Sequence, residues 1–307
     1  MSNNTINWGA QRPEIEHFIA QHDLPENFSS LVERFYLPFA EKITDMVHDL
    51  TVLGVNGAQG TGKSTFSALL AILLKQADIR TAVLSIDDFY LRKSERELLA
   101  KDVHPLLATR GVPGTHDIGL ALKTLQDLVE VKIGETVAVP RFDKARDDRC
   151  DTADYGQIEG PVDLIILEGW CVGASPELDA ELMDPINWLE EAKDPNGLWR
   201  RYVNEQLCGD YQSLFSMIDC LVMLKAPSFK AIEQWRWQQE QLLIKHANGK
   251  GEGLMNEAEV KTFIQYFQRL TQHCLNELPS RADYVYSLNE KHLIEAVTGP
   301  LSQEMSK

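Results

Sequence analysis

The stretch TVLGVNGAQGTGKST at residues 51–65 decides the fold. Its first part, TVLGVN, is a short apolar run of the kind that forms a strand buried on both faces. The glycine-rich segment that follows, GAQGTGKS at 57–64, matches the pattern G-x-x-x-x-G-K-[ST] in full. The residues from Lys63 to Gln76 then continue with the pattern of a helix. A strand, this segment and a helix in that order predict a phosphate-binding loop (P-loop).

The residue types of this loop suit a nucleotide and its metal ion. Glycines let successive backbone N–H groups curl around a β-phosphate, where the helix N-terminus adds partial positive charge. Lys63 would bridge the β- and γ-phosphates, and Ser64 would bind Mg²⁺. ATP and Mg²⁺ are therefore the expected cofactors. The expected nucleotide-binding residues are Gly57, Ala58, Gln59, Gly60, Thr61, Gly62, Lys63, Ser64 and Thr65.

Outside the loop, short apolar runs alternate with helical patterns, which is typical of β-α-β units around a parallel sheet. The candidate strands are 51–56, 81–86, 136–140, 162–169, 218–225 and 282–288, and the candidate helices are 63–76, 187–208, 229–246 and 256–275. We predict an α/β fold of the P-loop NTPase type, with a parallel sheet of five or more strands flanked by helices. Residues 1–50 would form an N-terminal helical cap and residues 51–300 the P-loop domain, with a helical insertion around 175–210.

Composition excludes several classes of protein. With 30 Lys+Arg against 46 Asp+Glu the net charge is −16, which disfavours binding to nucleic acid or to an anionic membrane. No apolar run reaches the ~20 residues of a membrane-spanning helix, and the first residues do not resemble a secretory signal. The five cysteines include no C-x-x-C pair, so no disulfide framework is expected. These features predict a cytoplasmic protein and leave its oligomeric state open.

Acidic residues follow two of the candidate strands. Asp87 and Asp88 lie in SIDDFY (85–90), and Glu168 lies in LEGW (167–170). Open α/β sheets bind ligands at the carboxyl ends of their strands. An aspartate there could accept the proton of an acceptor hydroxyl or hold Mg²⁺, although a simple turn or cap would use the same residues. Glu168 has the position of an acid that orients Mg²⁺ through its water shell.

Two further segments carry cations. In GVPGTHD (111–117), Thr115 can cap a helix that begins at Asp117, and the flanking Arg110 and His116 could contact an acceptor. A plain turn explains the same pattern. In PRFDKARDDR (140–149), the cations Arg141, Lys144, Arg146 and Arg149 alternate with acids, so the alternative is a solvated, salt-bridged loop. An acidic enzyme that handles anions must nevertheless concentrate cations in its cleft.

Together, GAQGTGKST, SIDDFYL, GVPGTHD, PRFDKARDDR, LEGW and QWRWQQE (234–240) resemble the D-glycerate 3-kinase family, within the group of uridine kinase, phosphoribulokinase and pantothenate kinase. The resemblance extends from Thr51 to about Leu270. It implies an ATP-dependent kinase that transfers the γ-phosphoryl group to a hydroxyl of a small metabolite, first of all D-glycerate, forming 3-phosphoglycerate. Asp87 matches the catalytic aspartate of the Asp-Ser-Phe-Tyr segment in uridine kinases. Asp88 stands where those kinases have serine, so either carboxylate could be the base.

The predicted site has three groups of residues. The catalytic group is Lys63, Asp87, Asp88 and Arg236, the last as a lid arginine for which Arg200 and Arg201 are alternatives. The acceptor group is Asp87, Tyr90, Arg110, His116, Lys144 and Arg149, and the metal group is Ser64, Asp87 and Glu168. Two other functions remain open: a kinase for another alcohol, such as a nucleoside or a pantothenate-like compound, and a non-metabolic ATP-binding switch. The guanine-specific motif N-K-x-D is absent, which counts against a GTPase.

Overall fold

The computed structural model describes residues 8–25, 27–246 and 254–302. The strands are β1 (Val52–Gly57), β2 (Thr81–Ser85), β3 (Thr136–Val139), β4 (Phe142–Asp143), β5 (Asp148–Arg149), β6 (Gly156–Glu159), β7 (Leu164–Gly169), β8 (Cys220–Lys225), β9 (Tyr284–Leu288) and β10 (Ile294–Thr298). The helices are α1 (Trp8–Gln21), α2 (Phe28–Leu31), α3 (Leu37–Met46), α4 (Lys63–Lys75), α5 (Lys93–Asp102), α6 (Ile118–Glu130), α7 (Trp188–Lys193), α8 (Leu198–Cys208), α9 (Asp210–Phe215), α10 (Phe229–His246) and α11 (Glu257–Glu277).

A six-stranded sheet with the order β10-β9-β8-β1-β7-β2 forms the centre of the molecule. Its strands are parallel except β10, which runs antiparallel to β9 at the edge. All residues of β1 and β7 are buried, as apolar strands covered by helices on both faces must be. The predicted α/β fold with five or more parallel strands is confirmed, whereas the antiparallel edge strand was not predicted.

The register of the sheet brings the predicted site segments to one edge. Glu168 of β7 lies level with Val55 of β1 on one side and with Ser85 of β2 on the other. Because these strands are parallel, the loops that follow them emerge together. The P-loop after β1, the 3₁₀ turn Ile86–Phe89 after β2 and the end of β7 therefore surround one region of space.

The prediction that TVAVP (136–140) joins the main sheet is wrong. Residues 136–139 form β3, which pairs antiparallel with β6 in a separate ribbon. Val137 and Val139 are buried, while Thr136 and Ala138 are exposed. This alternation is typical of an antiparallel ribbon that has one face packed on the core and the other exposed to solvent. A second small ribbon, β4 with β5, carries the basic segment 140–149.

The N-terminal helices share the core of the sheet. The ring of Phe39 in α3 lies 4.9 Å from the ring of Tyr284 in β9. The ring of Phe66 in α4 lies 5.2 Å from that of Tyr286. One continuous hydrophobic cluster includes all four rings. The described helices of this region lie within residues 8–21 and 28–46, and residues 1–7 and 26 of the predicted cap lie outside the described part of the chain.

The helical segment around 175–210 docks on α11, where the buried Arg269 makes several of the contacts. The predicted single helix 187–208 is interrupted at 194–197, where Gly197 takes a φ of +71° that favours glycine, and α7 and α8 result. Arg269 donates from Nε and Nη2 to the carboxylate of Glu190 at 2.8 and 2.7 Å. Its Nη1 donates to the carbonyl of Glu181 at 2.8 Å. The buried ion pair fixes this segment beside the site.

Across the described ranges, no helix is both long and apolar enough to span a bilayer. All five cysteines are unpaired.

Candidate active site

The P-loop has the backbone that a phosphate cradle requires. Gly60 and Gly62 have φ values of +80° and +86°, a region that residues with a Cβ rarely adopt. A Cβ at Gly60 would also lie only 3.0 Å from the Cβ of Trp235 in α10. Thr61 curls the loop by donating to the carbonyl of Ala58 from its backbone N–H at 3.2 Å and from its hydroxyl at 2.8 Å. Glycine at position 60 therefore allows both the curl and the close packing of α10.

Ser64 and Glu168 meet beneath the P-loop. The Ser64 hydroxyl donates to Oε1 of Glu168 at 2.8 Å, and the Lys63 ammonium lies 3.9 Å from Oε2. The Glu168 side chain is only 6% exposed, and its Oε2 accepts no hydrogen bond. A hydroxyl and a carboxylate with a free buried oxygen are the oxygen donors that Mg²⁺ prefers. No group of three or more His, Cys, Asp or Glu side chains suited to a metal occurs in the described residues, so phosphate and water would complete the shell.

Asp87 projects from the 3₁₀ turn after β2 and is held by two donors. Its Oδ1 accepts from the Tyr90 hydroxyl and its Oδ2 from the Lys144 ammonium, both at 2.8 Å. Burial raises the pKa of Asp87. The charges of Lys144 and Lys63 and these two hydrogen bonds outweigh burial and lower the pKa to about 2. Asp87 is therefore ionised throughout the neutral range.

Asp88 has a different environment from its neighbour. Its Oδ1 accepts from the backbone N–H of Phe142 at 3.1 Å, and its Oδ2 lies 3.3 Å from Nη1 of Arg141. Burial raises the pKa of this carboxyl, against the effect of those two donors. Asp88 thus ties the β4–β5 ribbon to the turn, and it does not line the cavity described next.

A cavity of about 530 Å³ opens between the P-loop and the acidic turn. Its charged lining consists of Asp87 and four cations, Lys63, Arg110, Lys144 and Arg236. Its remaining lining comes from the P-loop, the end of the turn after β2, the turn after β7 and the helices α10 and α11: Gln59, Gly60, Tyr90, Trp170, Gln239, Leu242, Leu243, Phe263 and Phe267. Although the protein has a net charge of −16, this cavity is lined by more cations than acids and is therefore suited to an anionic ligand.

Arg110 and Arg149 lie at different places. Arg110 lines the cavity, pairs with Asp147 and places its guanidinium 5.4 Å from the centre of the Phe142 ring. Arg149 donates from Nη1 to Asp117 at 2.9 Å, with only 9% of its side chain exposed, and it is outside the lining. The structure therefore places Arg110 in the cavity lining and Arg149 outside it.

His116 supports the site from behind. Its ring stacks on Tyr90 with 4.5 Å between ring centres, and its Nδ1 lies 2.5 Å from the Tyr211 hydroxyl. Burial lowers the pKa of His116 to about 4, so the ring is neutral at pH 7. His116 does not line the cavity and instead positions Tyr90. The predicted cap at Thr115 is wrong, because the Asp117 side chain caps α6 by accepting from the N–H of Leu120; the Thr115 hydroxyl donates to Val112 inside the turn.

Among the candidate lid arginines, only Arg236 lines the cavity. Its Nη2 lies 2.8 Å from Oε2 of Glu240, one turn further along α10. The alternatives belong to the helical segment around 175–210. Arg200 is buried in an ion pair with Asp194 at 3.0 Å, and Arg201 donates to the carbonyl of Asn196. Both serve to hold the break between α7 and α8.

Sequence reasoning missed Arg96 of α5, which links three segments that carry residues of the cavity lining. Its side chain is 1% exposed and donates to the carbonyls of Leu91, Ala108 and Asp147 at 3.3, 2.7 and 2.6 Å. These carbonyls belong to the segments that carry Tyr90, Arg110 and Lys144. No motif marks this residue, because a lone arginine on a polar helix normally faces solvent. The apolar wall from α11, Phe263 and Phe267, was missed for a related reason, since an amphipathic pattern does not tell which surface its apolar face covers.

Relatives of the chain are kinases. The chloroplastic D-glycerate 3-kinase of Arabidopsis thaliana is 32% identical over 223 residues, which are 70% of this chain and 46% of that protein; the chain thus spans about half of that relative. The uncharacterized kinase mug58 of Schizosaccharomyces pombe is 34% identical over 225 residues, 70% of this chain and 78% of that protein.

A solved structure shows the same fold. It is the D-glycerate 3-kinase of Cryptococcus neoformans var. grubii, which superposes with a TM-score of 0.68 at 23% identity and covers 85% of this chain and 98% of its own. The chain matches no family model. The sequence identity to both relatives is above 30%, and the match covers 78% of the second relative. The chain therefore belongs to the D-glycerate 3-kinase family of P-loop kinases.

Proposed function

We propose that this protein is an ATP-dependent kinase that phosphorylates a hydroxyl of a small hydroxy acid, D-glycerate, to give 3-phosphoglycerate. One observation carries the proposal. A single cavity is lined by the P-loop lysine Lys63, by the ionised Asp87 and by two further cations, Lys144 and Arg110. The name of the Arabidopsis relative supports D-glycerate as the acceptor.

The nucleotide half of the site rests on the P-loop. Its backbone N–H groups and the N-terminus of α4 would bind the β-phosphate, and Lys63 would neutralise charge on the β- and γ-phosphates. Ser64 and Glu168 would hold Mg²⁺, as the free buried oxygen of Glu168 supports. When bound, the ion spreads the negative charge of the phosphates. Arg236, at the edge of the same cavity, is the candidate to approach the transferred group from α10.

The acceptor half supplies the proton acceptor. The acceptor hydroxyl oxygen forms a bond to the γ-phosphorus while the bond from that phosphorus to the β–γ bridging oxygen breaks, and its electron pair leaves with ADP. The hydroxyl proton passes to Asp87. We assign this role to Asp87 because it lines the cavity, whereas Asp88 is engaged by Phe142 and Arg141. A carboxylate of low pKa is a weak base. It suits a loose transition state, because there the acceptor hydroxyl loses its proton late.

Arg110 and Lys144 are proposed to recognise the carboxylate of the acceptor. A guanidinium can bind a carboxylate through two parallel hydrogen bonds, and an ammonium adds a point charge. A nucleoside or other neutral alcohol offers these cations no negative charge to bind. The cavity therefore favours an acid over the alternative acceptors.

The test measures ADP release by the purified protein with Mg·ATP and D-glycerate, glycerol, uridine or pantothenate. We expect kcat/KM for D-glycerate to exceed that for glycerol by at least about 10³, because a site built to bind a polar group strongly rejects analogues that lack it. Equal turnover of glycerol, or faster turnover of uridine, would refute the acceptor. Hydrolysis that responds to a protein partner but to none of these alcohols would indicate a switch instead.

The five unpaired cysteines favour a reducing compartment, and we propose the cytoplasm.

A further inference from the structure

The ion pair between Lys144 and Asp87 presents a problem for the reaction. The ammonium lies 2.8 Å from Oδ2 of Asp87, on the carboxylate that is to receive the proton. The other oxygen, Oδ1, already accepts from the Tyr90 hydroxyl. A hydroxyl of a neutral alcohol must therefore compete with a charged donor for Asp87, and charge-assisted hydrogen bonds are about twice as strong as neutral ones.

The two acceptor cations are held very differently. Arg110 pairs with Asp147, whose backbone carbonyl and carboxylate are in turn held by the buried Arg96 at 2.6 and 3.1 Å. Lys144 lies on the turn between β4 and β5, and its side chain is 63% exposed. A long aliphatic stem and a single-point charge let such a lysine change partners at little cost. Arg110 is thus a fixed anchor and Lys144 a movable one.

We propose that Lys144 restrains Asp87 until the carboxylate of the acceptor draws the ammonium away, so that the substrate's own carboxylate frees the proton acceptor for its hydroxyl. This inference rests on the proposed function. Arg110 binds the carboxylate first, and Lys144 exchanges its ion pair with Asp87 for one with the acceptor. Oδ2 of Asp87 then accepts the hydroxyl hydrogen bond and, as the oxygen–phosphorus bond forms and the bridging bond to ADP breaks, the proton.

The inference separates two contributions to specificity. A neutral alcohol loses the binding of Arg110 and Lys144, and it also meets an aspartate that stays paired. Removing the Lys144 charge should therefore harm D-glycerate turnover but assist glycerol turnover. A lysine that only binds the acceptor carboxylate would not produce the second effect.

The experiment compares kcat/KM for D-glycerate and glycerol in the wild type and in variants of the full chain. Lys144→Met keeps the stem and removes the charge at an exposed position. We expect D-glycerate turnover to fall by at least about 10², while glycerol turnover rises by about threefold or more as Asp87 loses its charged partner. Arg110→Met should lower D-glycerate turnover with no gain for glycerol. Arg146→Met removes an exposed cation from the same turn and should change neither.

Lys144→Arg provides a rescue, because it restores the charge and should again suppress glycerol turnover. Glycerol turnover that falls or stays constant in Lys144→Met would overturn the restraint and leave Lys144 as a simple carboxylate ligand. A wild type that phosphorylates glycerol or uridine as well as D-glycerate would instead overturn the proposed function. Thermal unfolding of each variant confirms that the comparison is between folded proteins.

Discussion

Replacing Asp87 by asparagine tests the centre of the proposed chemistry. Asparagine keeps the shape and can still accept from Tyr90, but it cannot take a proton. We expect kcat to fall by about 10² to 10⁴, with KM for ATP nearly unchanged because the P-loop is untouched. Asp88→Asn is the matched control, one residue away and outside the cavity, and we expect it to keep kcat within about tenfold of wild type.

The structure also gives the stability cost of this change. The surroundings lower the Asp87 pKa from 3.8 to about 2, a change that corresponds to roughly 2.5 kcal/mol. This contribution is complete at pH 7 and is lost only as the pH falls from 3.8 through about 2. The exposed Lys144 can return to water, so we expect about 1–2 kcal/mol less unfolding free energy, well within the ~5–15 kcal/mol of a typical domain.

The assay is steady-state ADP release with D-glycerate, alongside urea unfolding monitored by tryptophan fluorescence. A fall in kcat with a cooperative unfolding transition attributes the loss to chemistry. If Asp87→Asn kept more than a tenth of wild-type kcat, or if Asp88→Asn were the more damaging change, the assignment of the proton acceptor to Asp87 would be wrong.

Three further outcomes are expected. Lys63→Ala should lower kcat by at least about 10² because it removes the charge that faces the phosphates; single-turnover measurements check this, and a rate above a tenth of wild type contradicts it. His116→Gln should reduce the loss of unfolding free energy at acidic pH. The pKa of His116 is about 4 in the fold and 6.5 in the unfolded chain, so its contribution to the unfolding free energy is complete above pH 6.5 and is lost as the pH falls through 4. Between pH 7 and pH 5 the wild type should lose about 2 kcal/mol that the variant keeps. Arg269→Met should lower the unfolding free energy by about 3–5 kcal/mol because it leaves Glu190 as a buried unpaired charge, and Glu190→Gln in that background should recover part of it in the same urea titration.

The sequence predicts the nucleotide half of the site better than the acceptor half. A P-loop is a contiguous pattern, and strands buried on both faces appear as uninterrupted apolar runs, so β1 and β7 could be located directly. The pairing of Lys144 with Asp87 joins side chains 57 residues apart. It depends on the β4–β5 ribbon folding back over the turn after β2. No local pattern encodes that approach.

The adjacent carboxylates show the same limit. Asp87 and Asp88 are identical in type, and only the 3₁₀ turn over Ile86–Phe89 directs one into the cavity and the other towards Phe142. His116 and Arg149 have the residue types of acceptor ligands. They lie behind the cavity because Tyr211 and Asp117 engage them. Residue type can predict chemistry, but the direction of a side chain requires the fold.

The buried guanidinium of Arg96 has a consequence for how acceptor preference can diversify. The proposed nucleotide site is built on the sheet, whereas the proposed acceptor side consists of segments near Leu91, Ala108 and Asp147 whose carbonyls all accept from this side chain. We expect a displacement of any one of these segments to move the Arg96 guanidinium and so to disturb its hydrogen bonds to the other two. Transplanting single residues from a related kinase should therefore give poor enzymes, while exchanging all three segments together with α5 should transfer a new acceptor preference and leave ATP binding intact. We therefore expect acceptor preference to change with these three segments as a group, and not with single residues.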